Sequence, residues 1–501
     1  MYTSVLSMLD NAASRYQEKV IFQDMENHLA FGEFDRMTKS IGSWLAERVC
    51  SGSPVSVLSG RNLITPASYL GVVRAGCFYA PMDATMPKAR LNQILSVVNS
   101  EIMLVDREHF DLAKSLEYKG EIKIIEEISD SDINEDLLRS ATAGLTEYSP
   151  LYVIFTSGSS GIPKGVITSH YSLMCYLDGL NDVIEMDEND IIGSQSPLDY
   201  IAAIRDIYLP LMSGAKTVII PKHEFAMGGR LFEILNEYKV TTICWSAAGM
   251  EVPAKLGAFE ERVPRYLKKV VFSGSVLPGK YLKIWQENLP DVKFVNQYGP
   301  TEATASCTYY VVKETATNDT VLSIGKPFKH YGIIMLSEDD KEVPRGEVGE
   351  ICVTGPGLAL GYYGSPEQTE KAFIQNPLND KYRELIYKSG DLGRIEEDGN
   401  LTFLGRKDRQ IKHMGHRIEL AEIEMIAMQL SDVDECCSLY DSEKKHLYLF
   451  YVGEISDKET ILHFRKVVPS FMVPRKVIKL NEMPRLPNGK LDMQKLKAYF
   501  K

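Results

Sequence analysis

The chain has 501 residues, of which 44% are hydrophobic and 25% are charged, and its formal net charge is −12. This acidic balance argues against a protein that binds nucleic acid or an anionic membrane through a general basic surface. No stretch of about 18 consecutive apolar residues occurs, so the sequence predicts no membrane-spanning helix.

The first predicted element is an amphipathic helix in MYTSVLSMLDNAASRYQEK. This segment lacks a basic start, and Asp10 and Glu18 interrupt its apolar residues, which is not typical of a signal peptide. The eight cysteines contain no CxxC pair, which predicts neither a disulfide framework nor a zinc site. We therefore expect a cytoplasmic protein.

Short apolar runs then alternate with segments of helical periodicity, such as ARLNQILSVVNS and GRLFEILNEYK. Such alternation predicts an α/β fold, with layers of parallel-rich sheet and flanking helices. The runs predicted to be buried strands are SPVSVLSG, EIMLVD, LYVIFTSG, KTVIIP, TTICWS, KKVVFSG and VKFVNQYG.

Near Asp391 the sequence becomes rich in glycine and charge, and its short alternating runs predict β-hairpins. A helix is predicted next, with Ile423, Ile426 and Leu430 on one face, followed by a strand in HLYLFYVG. We place a boundary at Lys407–Asp408. The prediction is a large domain over residues 1–407 and a small, mobile α+β domain over residues 408–501.

One glycine-rich stretch, FTSGSSGIPKGV, follows the strand predicted in LYVIFTSG. It fails the common phosphate-loop pattern GxxxxGK[ST], since Pro163 precedes Lys164 and Gly165 follows it. Successive backbone N–H groups, hydroxyl groups and one lysine could still form a phosphate cradle. Taken alone, the stretch is equally consistent with a flexible glycine and serine loop.

Further motifs follow in order: NQYGPTEA, GEICVTGPGLALGYY, YKSGDLG, GRKDRQIKHMGHRIELAEIE and LPNGKLD. Together with the loop, this series resembles that of the adenylate-forming superfamily over nearly the whole chain. The chain is most similar to the amino-acid adenylation domains of nonribosomal peptide synthetases and to D-alanine–carrier protein ligases. GVVRAGCFYAPMDATMP supports the peptide-synthetase branch.

The resemblance implies an ATP-dependent ligase that works in two half-reactions. A small carboxylic acid, by resemblance an amino acid, attacks the α-phosphate of ATP to give an acyl-adenylate and pyrophosphate. The acyl group then passes to a thiol and AMP is released. The implied partners are the acid and a separate carrier protein that supplies a phosphopantetheine arm in trans, with neither nucleic acid nor membrane.

The same resemblance assigns the nucleotide site. Asn296 would bond adenine, Tyr298 would stack on it, and Asp391 would hold the ribose hydroxyls. Thr301 would contact the α-phosphate, Glu302 would place Mg²⁺, and Arg406 would reach the nucleotide. The phosphate loop would contribute Thr156, Ser157, Gly158, Ser159, Ser160, Gly161 and Lys164.

Two lysines of the small domain are assigned one to each half-reaction. Lys490 would bridge the acid's carboxylate and the α-phosphate, because a cation between two like-charged reactants lowers the adenylation barrier. Lys412 would take its place during thioester formation. Asp408 would be the hinge between the two poses.

The acyl pocket departs from the family pattern FDxSVWE. Ile201 stands where the family's aspartate pairs with an α-ammonium, and Arg205 stands at the tryptophan position. Asp199 would face the same side of an extended segment as Ile201 and could replace that aspartate; otherwise the acid has no α-amine. The other predicted pocket residues are Ala202, Cys244, Val271, Ser273, Gln297, Ala305 and Ser306.

Arg205 has two interpretations. It could bind a second anionic or polar group of the acid, or it could pair with Asp206 or Asp199 and point away from the pocket.

Two alternative functions remain at this stage. An aryl or acyl acid–CoA ligase would use the same adenylate chemistry with CoA as the thiol. A non-catalytic nucleotide-binding homologue is disfavoured, because Lys490, Glu302 and Asp391 are all present.

Overall fold

The computed structural model describes residues 2–158, 162–430, 432–485 and 491–500. The chain divides into two compact units. The first unit comprises Met1–Ala84, Val98–Ile154 and Gly165–Lys407, and the second comprises Thr85–Val97, Phe155–Lys164 and Asp408–Lys501.

The described ranges contain α-helices of 4 to 16 residues. They are α1 Val5–Arg15, α2 Phe31–Ala46, α3 Ile64–Arg74, α4 Lys88–Val98, α5 Phe110–Lys114, α6 Glu135–Thr142, α7 His170–Ile184, α8 Ala203–Ser213, α9 Gly228–Glu237, α10 Ala247–Lys255, α11 Ala258–Glu261, α12 Gly279–Asn288, α13 Pro366–Ala372, α14 Leu420–Ala427, α15 Asp457–Val467 and α16 Met493–Lys497. No helix in these ranges combines the length and the apolar character needed to cross a membrane.

The strands are mostly short, and several are buried along their whole length. They are β1 Val20–Gln23, β2 His28–Ala30, β3 Pro54–Ser59, β4 Phe78–Asp83, β5 Ile102–Val105, β6 Glu121–Ile124, β7 Pro150–Thr156, β8 Lys164–Ser169, β9 Ile191–Ser194, β10 Lys216–Ile219, β11 Thr242–Ser246, β12 Lys269–Ser273, β13 Lys293–Tyr298, β14 Thr308–Val311, β15 Lys326–Pro327, β16 Gly332–Leu336, β17 Gly349–Thr354, β18 Gly361–Tyr362, β19 Phe373–Gln375, β20 Leu385–Ile395, β21 Leu401–Arg406, β22 Gln410–His413, β23 His416–Glu419, β24 Val433–Asp441, β25 His446–Gly453 and β26 Lys476–Lys479.

A nine-stranded sheet has the order β15-β14-β13-β12-β11-β9-β10-β1-β2. Its pairings from β13 through β1 are parallel, and those at both ends of the sheet are antiparallel. Helices α8 to α12 alternate with its strands along the chain, as parallel strands require a crossover. The arrangement brings the carboxyl ends of β11, β12 and β13 to one edge of the sheet.

A second sheet has seven strands in the order β18-β8-β7-β4-β3-β5-β6. Strand β3 is parallel to both β4 and β5, and it is buried along nearly all of its length. Each of the seven apolar runs predicted to be strands lies in one of these two sheets, as β3, β5, β7 and β10 to β13. The predicted α/β fold with parallel-rich sheets is confirmed.

The third sheet of the first unit is antiparallel, and it contains the hairpin predicted around Asp391. In this hairpin Asp391 of β20 lies opposite Arg406 of β21, and Leu392 lies opposite Gly405. The register then shifts at Gly393, which pairs with Phe403. This bulge fixes the side of the hairpin on which each side chain lies.

In the second unit, β22 and β23 form a two-stranded hairpin, and β24, β25 and β26 form a three-stranded sheet. Helix α14 begins immediately after β23, and its Ile423 and Ile426 are buried as predicted. They pack in one apolar cluster with Leu449 of β25 and Phe464 of α15. The small C-terminal α+β element therefore has its own core.

Most of the cysteines are buried. Among the eight free thiols, Cys50 is exposed and Cys436 is partly exposed, and the other six are buried. Burial raises the pKa of Cys244 to about 12, which makes this thiol a neutral packing group.

Candidate active site

Adjacent parallel strands place several of the predicted pocket residues together. Cys244 of β11 lies opposite Val271 of β12, and the next pair on the same face of the sheet is Ser246 and Ser273. Cys244 and Val271 are completely buried, and Gln297 near the end of β13 is only 2% exposed. The carboxyl edge of a parallel sheet is the usual place for a ligand in such folds.

The turn after β13 is tightly constrained. A Cβ at Gly299 would lie 2.4 Å from the Cα of Ser306, so the backbone there requires glycine. Thr304 and Ala305 both have left-handed backbone angles, with φ of 51° and 73°. Two consecutive non-glycine residues in this conformation are strained, and such strain often occurs where a backbone must present groups to a ligand. Ala305 and Ser306 are both predicted pocket residues.

Three residues assigned to the nucleotide site meet in the first unit. The Tyr298 hydroxyl donates a hydrogen bond to the Asp391 carboxylate, and the Arg406 guanidinium forms an ion pair with the same carboxylate. Asp391 is only 2% exposed. Burial and the Asp391 charge raise the pKa of Tyr298 well above its ordinary value, so its proton stays on the phenol.

Asn296, predicted to bond adenine, precedes this cluster on β13. Its side-chain Nδ2 donates to the Ser323 carbonyl at 2.8 Å, and the residue is 8% exposed. This bond fixes the amide's orientation, and its oxygen then faces the other way.

Glu302 is completely buried in the short 3₁₀ helix Thr301–Ala303. The hydroxyl of Tyr362 donates to its Oε1 at 2.6 Å. The Glu302 carbonyl also accepts the N–H of Ala359 at 2.8 Å. Tyr362 was not among the predicted site residues, although it lies in the motif GEICVTGPGLALGYY.

Replacement of Tyr362 by phenylalanine is expected to lower the free energy of unfolding by about 1–3 kcal/mol, because a buried carboxylate oxygen loses its hydroxyl donor. Denaturant unfolding of the variant and the parent measures this difference.

Tyr363→Phe is the matched control for this measurement. The Tyr363 hydroxyl donates at 3.3 Å to the neutral carbonyl of Val98, so its loss is expected to cost about 1 kcal/mol or less. Equal costs for the two variants would contradict the proposed importance of the Tyr362–Glu302 bond.

The phosphate-loop segment belongs to the second unit. Thr156 and Ser157 are buried, and the Ser157 hydroxyl donates to the Arg417 carbonyl at 2.7 Å. A Cβ on Gly158 would lie 2.0 Å from the Ile162 carbonyl oxygen, so this position also requires glycine. Ser159, Ser160 and Gly161 lie outside the described residues. Lys164 is partly buried at the start of β8.

The proposed hinge Asp408 and Lys412 are also in the second unit. Asp408 is exposed, and its carboxylate accepts the N–H of Gln410 at 3.1 Å. Lys412 lies on β22 opposite Arg417 of β23. Lys490 lies outside the described residues.

The expectation that residues 199–201 are extended is wrong. Tyr200 N donates to the Pro197 carbonyl at 3.1 Å, and Ala203 N donates to the Tyr200 carbonyl at 2.9 Å, so the segment forms turns that lead into α8. The two-residue alternation of a strand therefore does not place Asp199 beside Ile201. Ile201 and Ala202 are buried, with 5% and 8% exposure.

Asp199 nevertheless has an unusual environment. Burial raises the pKa of its carboxyl to about 7, and the negative charge of Asp83 acts in the same direction. Asp83, at the end of β4, was not among the predicted pocket residues, although it lies in the motif GVVRAGCFYAPMDATMP.

This pKa gives a pH-dependent contribution to stability. The folded state binds the Asp199 proton more tightly than the unfolded state, where the pKa is about 4. The contribution is therefore complete below about pH 4 and is lost as the pH rises towards about 7. Asp199→Asn should become more stable relative to the parent across this window, by about 1–3 kcal/mol.

Thermal unfolding at closely spaced pH values between 4 and 8 measures this effect. The exposed Asp319 is the control, because Asp319→Asn is expected to change the unfolding temperature by the same amount at pH 4 and at pH 8. A constant difference between Asp199→Asn and the parent over the whole range would show that Asp199 does not titrate there.

Arg205 lies in the first turn of α8 with no exposed surface. Its Nη1 donates to Ser273 Oγ and to Gln297 Oε1, both at 3.3 Å, and its Nη2 donates to the Cys244 carbonyl at 3.4 Å. The interpretation in which Arg205 turns away to pair with Asp206 or Asp199 is therefore wrong. The side chain points to the predicted pocket residues.

A second, partly buried cation, Arg61, was not predicted from the sequence. Its two terminal nitrogens donate to the carbonyls of Ser194, Gln195 and Ser196 at 2.5 to 2.7 Å, and so hold the chain directly after β9. Burial lowers the pKa of Arg61 to about 10, a value at which it remains charged near neutral pH. It stabilises the chain that leads to Asp199 and Arg205.

Comparison with known proteins identifies the class to which this arrangement belongs. Residues 9–363 match the family model of the AMP-binding enzymes, and the chain belongs to this family. Tyrocidine synthase 1 of Brevibacillus parabrevis is 28% identical over 98% of this chain and 45% of its own length. The chain thus spans less than half the length of that relative.

Solved structures share the fold. NpsA-ThdA, an artificially fused adenylation–PCP di-domain from Klebsiella oxytoca, has a TM-score of 0.82 and 20% identity, over 96% of this chain and 94% of its own. The o-succinylbenzoate CoA synthetase of Bacillus subtilis has a TM-score of 0.83 and 20% identity, over 98% of both chains. The predicted membership of the adenylate-forming superfamily is confirmed.

Proposed function

We propose that this protein activates a small carboxylic acid with ATP and transfers the acyl group to the phosphopantetheine thiol of a separate carrier protein. In the first step an oxygen of the acid's carboxylate bonds to the α-phosphorus, and the bond from that phosphorus to pyrophosphate breaks. In the second step the thiolate sulfur bonds to the acyl carbon, and AMP leaves with the electron pair of the acyl–oxygen bond.

The observation that carries this proposal is the buried cluster of Tyr298, Asp391 and Arg406. Residues from three separated motifs converge on one carboxylate that is almost fully enclosed. A carboxylate oxygen can accept more than one hydrogen bond, so Asp391 can bind ribose hydroxyls while Arg406 holds it in place. Membership of the AMP-binding enzyme family supports the same assignment.

The remaining nucleotide roles follow the same pattern. Asn296 binds adenine, Tyr298 stacks on it, Thr301 contacts the α-phosphate, and the loop from Thr156 to Lys164 holds the outer phosphates. These groups supply positioning and fixed dipoles, on which phosphoryl transfer mainly depends.

Glu302 is the proposed Mg²⁺ ligand. Its carboxylate fits this role because it is buried, oriented by Tyr362, and of the hard oxygen type that this cation prefers. A bound Mg²⁺ would neutralise charge on the phosphates.

The proposal gives the two halves of the chain different tasks. Residues 1–407 bind the nucleotide and the acid, and residues 408–501 act as a mobile lid with Asp408 as its hinge. Lys490 serves adenylation and Lys412 serves thioester formation, so the lid presents each lysine in turn.

CoA is the second candidate acceptor. The fold shared with a CoA synthetase supports it, and the adenylation step would be unchanged. The similarity to tyrocidine synthase 1 and to the adenylation–PCP di-domain favours a carrier protein instead.

ATP–pyrophosphate exchange tests the proposed function directly, because a binding module cannot incorporate labelled pyrophosphate into ATP. The panel comprises the standard amino acids, D-alanine, β-amino acids, hydroxy acids, aryl acids and dicarboxylates. We expect acid-dependent exchange with at least one member. Absence of exchange with all of them, in protein that binds ATP, would refute the assignment.

The acceptor is tested next with the acid that gives exchange. Release of AMP is measured with free CoA and with a phosphopantetheine-loaded carrier protein. We expect the carrier protein to be preferred; a preference for CoA would establish the second candidate.

A further inference from the structure

Arg205 is a fully buried cation whose direct hydrogen-bond acceptors include no carboxylate. All the acceptors that receive its hydrogen bonds are neutral: the Ala202 carbonyl at 3.1 Å, Ser273 Oγ and Gln297 Oε1 at 3.3 Å, and the Cys244 carbonyl at 3.4 Å. Within residues 2–158, 162–430, 432–485 and 491–500, no ion pair joins its guanidinium to a carboxylate. Removal of an unpaired cation from water costs several kcal/mol.

Asp206, the next residue in the chain, does not balance that charge by direct contact. Neither carboxylate oxygen of Asp206 has a hydrogen-bond partner in the described part of the chain, so neither receives an Arg205 N–H. Burial raises the pKa of Asp206 to about 6, which weakens it further as a counter-ion at mildly acidic pH.

The hydrogen bonds that Arg205 does make are long. Bonds from a guanidinium to a charged acceptor are typically about 2.7–2.9 Å. The three bonds from its terminal nitrogens to the pocket residues are 3.3 to 3.4 Å. This geometry leaves Arg205 able to bind a stronger acceptor without losing strong contacts.

Gln297 adds a second donor at the same place. Its Oε1 accepts from Arg205 and, at 3.2 Å, from the Tyr176 hydroxyl. Its Nε2 is buried and has no hydrogen-bond partner among the described residues. A cation beside an unsatisfied amide donor is complementary to a carboxylate, which has only acceptors.

We propose that Arg205 and Gln297 Nε2 bind a second carboxylate of the acid, so that the substrate is a small dicarboxylic acid activated at its other carboxylate. This rests on the proposed function, because it specifies the acid for that same reaction. Cys244, whose carbonyl accepts from Arg205, and its strand neighbour Val271 are completely buried, so we expect a short acid.

Pairs of acids that differ only in the charge of the distal group provide the test. The pairs are succinate and succinamate, glutarate and glutaramate, aspartate and asparagine, and glutamate and glutamine. In pyrophosphate exchange the wild-type protein should show, for at least one pair, a kcat/KM at least tenfold higher for the charged member. In Arg205→Gln this ratio should fall to about one or invert, mainly through KM.

Two further variants complete the design. Arg205→Lys keeps the charge and should retain a preference for the charged member, while Arg265→Gln, at an exposed arginine, should leave the ratio unchanged. If Arg205→Gln does not fold, the ratios measured for the wild-type protein and for Arg205→Lys test the inference instead. A wild-type preference for the neutral member in every active pair would overturn the inference and leave the proposed function intact.

Failure of the proposed function has a different signature, namely no exchange with any acid. Thermal unfolding with the same acids then tests the inference without catalysis. A midpoint raised by a charged acid, but not by its amide, and lost in Arg205→Gln would support the second-carboxylate site. No charge-dependent shift with any pair would overturn it.

Discussion

Lys490→Ala is expected to lower the rate of pyrophosphate exchange by about 10²–10³-fold while ATP binding is retained. The proposed role of Lys490 is to bridge two anions, the acid's carboxylate and the α-phosphate, and that bridge has its greatest value in the transition state. Loss of a transition-state interaction lowers kcat and kcat/KM together. Exchange kinetics and equilibrium ATP binding, measured on the same preparation, separate the two effects.

Lys497→Ala is the control, since Lys497 is exposed on α16, a few residues further along. It should exchange pyrophosphate at the parent's rate. Exchange by Lys490→Ala at the parent's rate would refute the role assigned to Lys490. A parallel loss of ATP binding would instead assign Lys490 to ground-state binding.

Lys412→Ala is expected to slow thioester formation by about 100-fold and to change pyrophosphate exchange by less than about threefold. The lysine lies on the β22–β23 hairpin, directly after the proposed hinge. If the lid presents Lys412 only for the second half-reaction, the first does not depend on it. Single-turnover transfer from preformed acyl-adenylate to the thiol measures the second step alone.

Lys444→Ala provides the comparison, because Lys444 is an exposed lysine of the same small domain in the turn between β24 and β25. Neither half-reaction should change in this variant. Equal losses of exchange and of transfer in Lys412→Ala would count against a lid that works in two poses.

Local sequence patterns predicted the sheets well. Runs such as TTICWS and KKVVFSG have a continuous apolar centre, and a strand buried on both faces has this pattern. Glycine and charge marked the hairpin around Asp391 for the same reason: turns and exposed strand faces need those residues. Buried strands and hairpin turns depend on residues that are close together in the chain, so they can be predicted from a single sequence.

The turn at residues 197–202 shows where such patterns stop. Its backbone is determined by bonds such as Ala203 N to the Tyr200 carbonyl and by Arg61, which lies more than 130 positions earlier in the chain. The hydrophobic periodicity of the sequence does not predict these contacts. The role of Tyr362 was not predicted for a similar reason, since its hydrogen-bond partner Glu302 is 60 residues away in the chain.

The register of the β20–β21 hairpin has a consequence for how the protein tolerates insertions. Between the Asp391–Arg406 pair and the Gly393–Phe403 pair, β21 has two residues where β20 has one, Leu392. One extra residue between Asp391 and Gly393 would remove this bulge and move the Asp391–Arg406 pair to the other face relative to the turn end of the hairpin. The same residue added in the turn between Glu396 and Asn400 leaves the pairing intact. Length variation among natural variants should therefore concentrate in that turn and be absent between Asp391 and Gly393.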